Sequence, residues 1–275
     1  MNRSTTKPGG PALPRGLPGR IFHAWMALSA LLVLVFIALP LATMLTAPTW
    51  EVLRKTLADK EVLDSVWLSM TTAATAAGIA FLFGTPLAYI LARNAFPGKK
   101  LVESLVDLPI MIPHPVVGIA LLSLTSPRIW FGQALQSMGI EFMGTRTGIV
   151  TVLVFVGMPF YINAAKSGIE SIPTRLEKVS RSLGAGAGAT FFRITLPLCW
   201  RYMLVGMIMC MARAISEFGA IIIVAYHPMI APVLMYERFT AYGLKFSQPV
   251  AVILILVSML FFLLLRTLSL PKEKE

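Results

Sequence analysis

Charged residues are scarce in this chain. They make up 13% of the 275 residues, whereas 56% are hydrophobic, and a soluble domain carries about a quarter of its residues as charged ones. The scarcity excludes an ordinary soluble fold and predicts an all-α integral membrane protein. Because a membrane-spanning helix needs about 20 apolar residues, the chain has room for about six such helices, and no soluble domain of useful size is left over.

Acidic residues are scarcer than basic ones. Asp and Glu number 13 against 24 Lys and Arg, which gives a formal net charge of +11. A basic chain can bind nucleic acid, but here the basic residues flank apolar runs instead of clustering in one tail. That distribution is typical of membrane topology. We therefore expect membrane lipid, and no nucleic acid, as a partner.

Motifs for catalysis or cofactor binding are also lacking. Cys199 and Cys210 have neither a CxxC spacing nor the pattern of a disulfide framework, and His114 has no carboxylate or thiol at metal-ligand spacing. No GxxxxGK[ST] phosphate loop occurs, so this chain does not bind ATP in the P-loop manner. No Ser/His/Asp or HExxH arrangement occurs either. We expect no catalytic residue, metal or cofactor in this chain.

Six apolar runs alternate with polar segments. The first run is too long for the core of a signal peptide, which has about 7–15 residues, and is therefore a retained span. One transmembrane domain is predicted over residues 21–268, after a disordered tail at 1–20 and before a charged tail at 269–275. The predicted spans are 21–45, 66–91, 101–124, 148–165, 201–226 and 248–265; residues 46–64, 125–147 and 227–247 are predicted loops.

Basic residues also predict the orientation of the spans. With the N-terminus inside, the inner segments carry sixteen Lys and Arg and the outer loops carry seven. Since cytoplasmic segments hold the excess of positive residues, we expect a multi-pass protein of the cell (inner or plasma) membrane with both termini cytoplasmic. The loop at 166–200 then also faces the cytoplasm.

That cytoplasmic loop begins with the pattern of a short helix. Pro173 suits the first turn, Glu177 and Arg181 are four residues apart in the favourable order, and Gly184 stands where a helix end favours a left-handed residue. Four apolar residues recur at helical spacing and predict one apolar face: Ile172, Leu176, Val179 and Leu183.

A second short helix is predicted over 189–194, ended by Leu196 and Pro197 before the fifth span. The simplest alternative is a surface loop that only links two spans. Thirty-odd residues with helical patterning are more than such a link needs. The pattern favours a polar two-helix element that a soluble partner grips.

The spacing of this element resembles the EAA loop of ABC-importer permeases. That loop has the pattern Glu-Ala-Ala, three residues, Gly, nine residues, Ile, one residue, Leu-Pro. Its fixed positions are assigned to Glu177, Gly184, Ile194, Leu196 and Pro197. Lys178 and Val179 stand where the family has alanines. In that family the loop is the coupling-helix pair that fits a groove on the ATPase, and the resemblance implies this role for the five residues and Arg181.

The resemblance extends across most of residues 65–268. LPIMIPHPVVGIALL (108–122) and ARAISEFGAIIIVAY (212–226) are similar to the oxyanion branch of the family, which handles molybdate, tungstate and sulfate. MIAPVLMYERFTAYGL (229–244) is similar to the molybdate/tungstate permeases. The resemblance implies the permease subunit of an ATP-binding-cassette importer for molybdate or tungstate.

The same resemblance implies the partners. They are a second copy of this chain, two copies of a separate cytoplasmic ATPase that carries the ATP and Mg, and an external oxyanion-binding protein. Two alternatives stay open from the sequence. The chain could be a sulfate or thiosulfate ABC permease, or a secondary transporter or channel that needs no ATPase.

Charged residues also lie inside the predicted fifth span. Arg213 and Glu217, with Ser216 between them, are four residues apart on one predicted helix face. Isolated charges at that depth are costly, so a pair is favoured. The pair either lines or gates the translocation path, or it fixes helix packing.

Prolines interrupt the third span. Pro109, Pro113 and Pro115 do not fit an unbroken helix, and backbone groups freed at membrane depth must face protein or water. We expect a kinked segment whose Pro113 and Pro115 line the path; a packing kink in a buried helix is the alternative.

Overall fold

The computed structural model describes residues 19–269, and every regular element in that range is helical. The predicted tails, 1–20 and 269–275, lie almost wholly outside the described residues. The helices are α1 (Gly19–Thr46), α2 (Trp50–Leu57), α3 (Lys60–Arg93), α4 (Lys99–Met111), α5 (His114–Leu124), α6 (Trp130–Ser137), α7 (Arg146–Glu170), α8 (Thr174–Ser182), α9 (Ala187–Thr190), α10 (Leu196–Ile215), α11 (Ile221–Val224), α12 (Ala231–Tyr242) and α13 (Leu244–Ser269).

The structure divides into two compact units, the first ending at Ala47 and the second beginning at Pro48. The first unit contains α1, a 28-residue apolar helix with Pro40 inside it. The remaining helices form the second unit. The predicted single domain over 21–268 stays a prediction.

The number of membrane-length helices agrees with the predicted all-α membrane fold. Five helices in the described range are long and apolar enough to cross a membrane, and the pair α4 and α5 makes a sixth if it counts as one span. The axis of that pair bends by 112° between Met111 and His114. The predicted all-α fold with about six spans is confirmed, and so is the break in the third span.

The core of the second unit lies where α3, α7 and α10 pack together. Small residues let these helices approach closely. A Cβ on Gly157 of α7 would lie 2.6 Å from Cys210 Sγ on α10, and one on Gly84 of α3 would lie 2.8 Å from the ring of Tyr161 on α7. Tyr161 is fully buried at this junction.

The three predicted outer loops are wrong in part, because each contains a helix: α2, α6 and α12. In α12 the first turn, Ala231–Leu234, is buried, and the helix packs on α3 and α13. Burial against α3 and α13 stabilises α12, although the sequence of this segment predicts a loop. The N-cap of α3, Asp59, accepts a hydrogen bond from the Glu61 N–H, so the second span begins at Lys60 instead of residue 66.

The predicted fifth span is also wrong in its limits. Its helix starts at Ala187 and runs without a break to Ile215, so Leu196 and Pro197 do not end a separate short helix. The helix then stops at Ile215, with Ser216 as its C-cap. Glu217 therefore lies beyond the helix, and Arg213 and Glu217 do not share a helix face.

Candidate functional site

The helix–glycine–helix element is formed by α8, the turn at Gly184 and α9. Gly184 has φ +89°, the left-handed conformation predicted from its spacing. A Cβ at this position would meet nothing within 4 Å, so the backbone conformation alone explains the glycine. Pro173 lies one position earlier than predicted, at the N-cap of α8.

The apolar face of α8 is largely exposed. Leu183 is 83% exposed, and Leu176 and Val179 are nearly half exposed, whereas Ile172 is buried in the core. The three exposed side chains border a groove of ≈ 860 Å³. The groove is lined by Arg175, Leu176, Val179, Ser180, Leu183, Ala185, Ala189, Arg193, Ile194, Pro197 and Leu198. An apolar face of this kind, open beside a membrane bundle, is suited to a protein partner.

The rim of the groove is positive. Four cations of this element are exposed: Arg175, Lys178, Arg181 and Arg193. None of the four forms an ion pair with a residue in the described range. Glu177, the acidic side chain of α8, is buried instead. The element therefore presents an apolar strip bordered by unneutralised positive charge.

Glu177 ties α8 to the rest of the unit. Arg93, at the end of α3, donates from Nε to Glu177 Oε1 at 3.0 Å, and its Nη2 lies 3.0 Å from the same oxygen in an ion pair. Thr195 Oγ1 also donates to Glu177 Oε1, at 2.8 Å. Arg93 Nη2 also donates to the Ile172 carbonyl at 3.1 Å. The predicted pairing of Glu177 with Arg181 is wrong, because the carboxylate turns inward and Arg181 is exposed.

The spacing counted back from Gly184 does not place Glu177 at the glutamate of the EAA pattern. Three residues before Gly184 and two alanine positions before those put the glutamate of the pattern at residue 178, where this chain has Lys178. Lys178 is exposed and Glu177 is buried. Glu177 is thus an internal tie, while Gly184, Ile194, Leu196 and Pro197 keep their positions.

A π-helical segment, Phe191–Thr195, joins α9 to α10. The Leu196 N–H donates to the Phe191 carbonyl, five residues back. A wider turn of this kind accommodates Pro197, which has no N–H and clashes with the carbonyl four residues before it in an α-helix. The helix that borders the groove therefore continues without a break to Arg213, at the other end of α10.

A second cluster brings together His114, Arg213 and Glu217. Arg213 Nη2 donates to Glu217 Oε2 at 2.6 Å and lies 2.9 Å from both ring nitrogens of His114. The Ala220 N–H donates to Glu217 Oε1 at 2.8 Å. The ion pair between Arg213 and Glu217 links the end of α10 to the segment that follows it.

The predicted path residues lie around this cluster. Pro113 is the N-cap of α5 and Pro115 lies in its first turn, so both stand at the bend beside His114. A Cβ on Gly219 would lie 3.3 Å from Pro115 Cδ. Ser216 is exposed and donates its hydroxyl to the Arg213 carbonyl at 3.0 Å. The bend and the end of α10 thus come together.

Sequence reasoning missed Arg93, Thr195 and His114. Arg93 lies 84 residues before its partner Glu177, and nothing in the local pattern signals such a pairing. His114 carried a signal, since it stands between the two prolines of the break. The lack of a carboxylate or thiol at ligand spacing argues only against a metal site at His114, and no group of potential metal ligands occurs in the described residues.

The fold is that of the membrane-spanning part of ABC transporters. A solved bacterial ABC transporter involved in the import of the acidic polysaccharide alginate superposes with a TM-score of 0.69. The match covers 92% of this chain and 96% of that one, at 18% identity. At that identity the likeness establishes the fold alone.

The chain belongs to the family of binding-protein-dependent transport system inner membrane components, whose sequence model matches residues 84–271. The molybdate/tungstate transport system permease protein WtpB of Pyrococcus furiosus is 44% identical over 248 residues, 90% of this chain and 94% of the relative. A sulfate transport system permease protein, CysT of Synechococcus elongatus, is 30% identical over 251 residues, 89% of each chain. The chain is therefore a transport permease subunit and not an enzyme.

Proposed function

We propose that this chain is the permease of an ABC importer that carries molybdate or tungstate into the cytoplasm. The higher identity to a molybdate/tungstate permease than to a sulfate permease supports this substrate class. Molybdate and tungstate have the same charge and nearly the same size, so the proposal covers both. The external partner is an oxyanion-binding protein that delivers the anion to the outer loops.

The energy comes from a separate ATPase that docks on the groove of α8 and α9. One observation carries this assignment: a charged-rimmed apolar strip stays uncovered on an element that is tied firmly to the bundle through Glu177 and Arg93. The positive rim predicts an ATPase face with an apolar centre and acidic residues around it. Such a contact weakens as salt screens the rim charges.

The assembly contains two copies of this chain and two ATPases in the cell membrane, with both termini of the permease in the cytoplasm. ATP binding brings the ATPases together, and each pulls on its α8. The continuous helix from Ala187 to Ile215 carries that movement to the region of Arg213. Pro113, Pro115, Ser216 and the pair Arg213–Glu217 line or gate the path there.

The experiment is co-purification of the permease with its ATPase, followed by an ATPase assay, for the variant Gly184→Val. Valine is strained at φ +89°, so we expect α8 and α9 to lose their relative orientation and the ATPase to dissociate or lose coupling. Gly184→Asn is the matched variant, because asparagine tolerates the left-handed region, and it should keep most of the activity.

Gly186→Ala is a second control, since its φ of −65° suits any residue and a Cβ there meets nothing within 4 Å. Unchanged ATPase association in Gly184→Val would argue against docking at this element. A binding assay on the external protein tests the substrate: preference for sulfate over molybdate would remove the molybdate/tungstate assignment.

A further inference from the structure

The cluster of His114, Arg213 and Glu217 connects two parts of the fold, the bend before α5 and the end of α10. His114 opens α5 directly after the 112° bend, and Arg213 lies in the last turn of α10. The backbones of these parts are in close contact: a Cβ on Gly118 would lie 2.7 Å from the Ala220 carbonyl oxygen. The cluster therefore bridges the broken span and the end of the helix that leaves the coupling groove.

Glu217 is fixed on the protein side of the cluster. Its side chain is 1% exposed. Oε1 accepts the Ala220 N–H and Oε2 accepts Arg213 Nη2. Both oxygens are occupied by directed donors, so the carboxylate acts as an anchor for the guanidinium.

Arg213 contacts the ring of His114 through one nitrogen, Nη2. Its Nη2 lies 2.9 Å from Nδ1 and 2.9 Å from Nε2. A nitrogen at the same short distance from both ring nitrogens would overlap the intervening carbon if it lay in the ring plane, so it lies over the ring face. This arrangement holds the guanidinium between an imidazole face and a carboxylate.

The cation of the pair faces the accessible side. The side chain of Arg213 is 18% exposed and that of His114 is 43% exposed, against 1% for Glu217. The hydrogen bonds of the Arg213 side chain to described residues all use Nη2. Among the described residues, Ser258 Oγ is the one buried side-chain polar atom that lacks a hydrogen-bond partner. Nη1 and Nε of Arg213 also lack a partner among these residues but are not buried atoms of that kind. They therefore retain accessible surface and free N–H donors.

We propose that Arg213 contacts the transported oxyanion as it passes, through these free N–H groups, and that Glu217 and His114 are positioning residues for its guanidinium. The inference rests on the proposed import of a tetrahedral oxyanion. Guanidinium N–H groups suit anionic oxygens. Because Glu217 already neutralises the cation, the attraction is weak enough for the anion to leave again, which conduction requires.

The test uses the full transporter, permease with ATPase and external binding protein, in proteoliposomes, with uptake of radiolabelled molybdate. Arg213→Gln should reduce uptake about 10- to 100-fold, the range for a lost hydrogen bond to a charged group, while ATPase co-purification persists. Arg213→Lys keeps the charge without the planar fork and should change the ratio of molybdate to sulfate uptake.

The double variant Arg213→Gln/Glu217→Gln separates this role from a packing role. Two neutral amides can pair with each other, so the double variant should regain the thermal stability that Arg213→Gln loses but remain defective in uptake. Recovery of uptake in the double variant would overturn the proposal. Lys166→Gln, which removes the ion pair with Glu103 between α7 and α4, is the matched control and should keep the wild-type ratio of molybdate to sulfate uptake.

These outcomes are distinguishable from a failure of the proposed function. If the wild-type chain neither retains the ATPase nor imports molybdate, the import function itself is wrong. If the wild type imports and Arg213→Gln imports equally well with an unchanged anion preference, the contact proposed for Arg213 is wrong and the import function stands.

Discussion

Removing one member of the pair Arg93–Glu177 should destabilise the protein almost as much as removing both. Each side chain is 9% exposed, and loss of one partner leaves the other charge buried, which costs about 3–5 kcal/mol. In Arg93→Ala the carboxylate keeps the hydroxyl of Thr195 at 2.8 Å, so we expect the lower end, about 3 kcal/mol. Glu177→Ala should cost a similar amount, because Arg93 then keeps only the Ile172 carbonyl among the contacts described here.

The assay is a double-mutant cycle on reversible unfolding in detergent micelles, read as the free energy of unfolding. The double variant has no stranded charge, so it should be only slightly less stable than either single one, giving a coupling energy of about 2–3 kcal/mol. The exposed pair Lys55–Glu51, at 76% and 78% exposure, is the control and should show less than about 1 kcal/mol. Additive effects of Arg93→Ala and Glu177→Ala would show that Glu177 does not tie α8 to α3.

Two further predictions concern the ion pair of Arg238 with Asp59 and the packing of α7 on α10. Arg238 Nη2 lies 2.7 Å from Asp59 Oδ2; burial raises the pKa of Asp59, but the hydrogen bonds from Arg238 and from the Glu61 N–H outweigh it and hold that pKa below its ordinary 3.8. This ion pair should therefore stabilise the protein above about pH 4, by about 0.5 kcal/mol for a partly exposed pair, and the stabilisation should be lost as pH falls through the lowered pKa. Asp59→Asn should abolish the pH dependence of the melting temperature in that range. A variant that melts with the wild-type pH dependence would contradict this prediction. Gly157→Leu should cost about 1–3 kcal/mol by overpacking against Cys210, whereas Gly78→Ala, with nothing within 4 Å of its Cβ, should be neutral or stabilising in the same thermal unfolding assay; equal losses in both would contradict the close packing of α7 on α10.

The features that the sequence predicted well have local causes. The left-handed turn at Gly184 follows from the end of an amphipathic helix, and the bend before His114 follows from prolines that remove backbone donors. Long apolar runs predict spans because their length must match the membrane. None of these features depends on a distant part of the chain.

The features that the sequence predicted poorly depend on tertiary contacts. The partner of Glu177 is Arg93 and not its neighbour Arg181, since the fold brings the end of α3 beside α8. Helix α12 forms because its first turn is buried against α3 and α13. Arg213 and Glu217 do form a pair, but Glu217 reaches back from beyond the helix end, where the Ala220 N–H fixes it.

We propose that a separate ATPase drives this permease through the exposed apolar strip of α8. The most direct measurement is ATP-dependent molybdate uptake by the reconstituted transporter with Leu183→Glu. This side chain is 83% exposed, so the substitution should leave the fold intact, place a carboxylate in the docking surface, and abolish both ATPase co-purification and uptake. Met138→Glu, at a site 72% exposed on the predicted outer side, should leave ATPase co-purification unchanged. Wild-type uptake and ATPase association in Leu183→Glu would show that the ATPase does not dock on this strip.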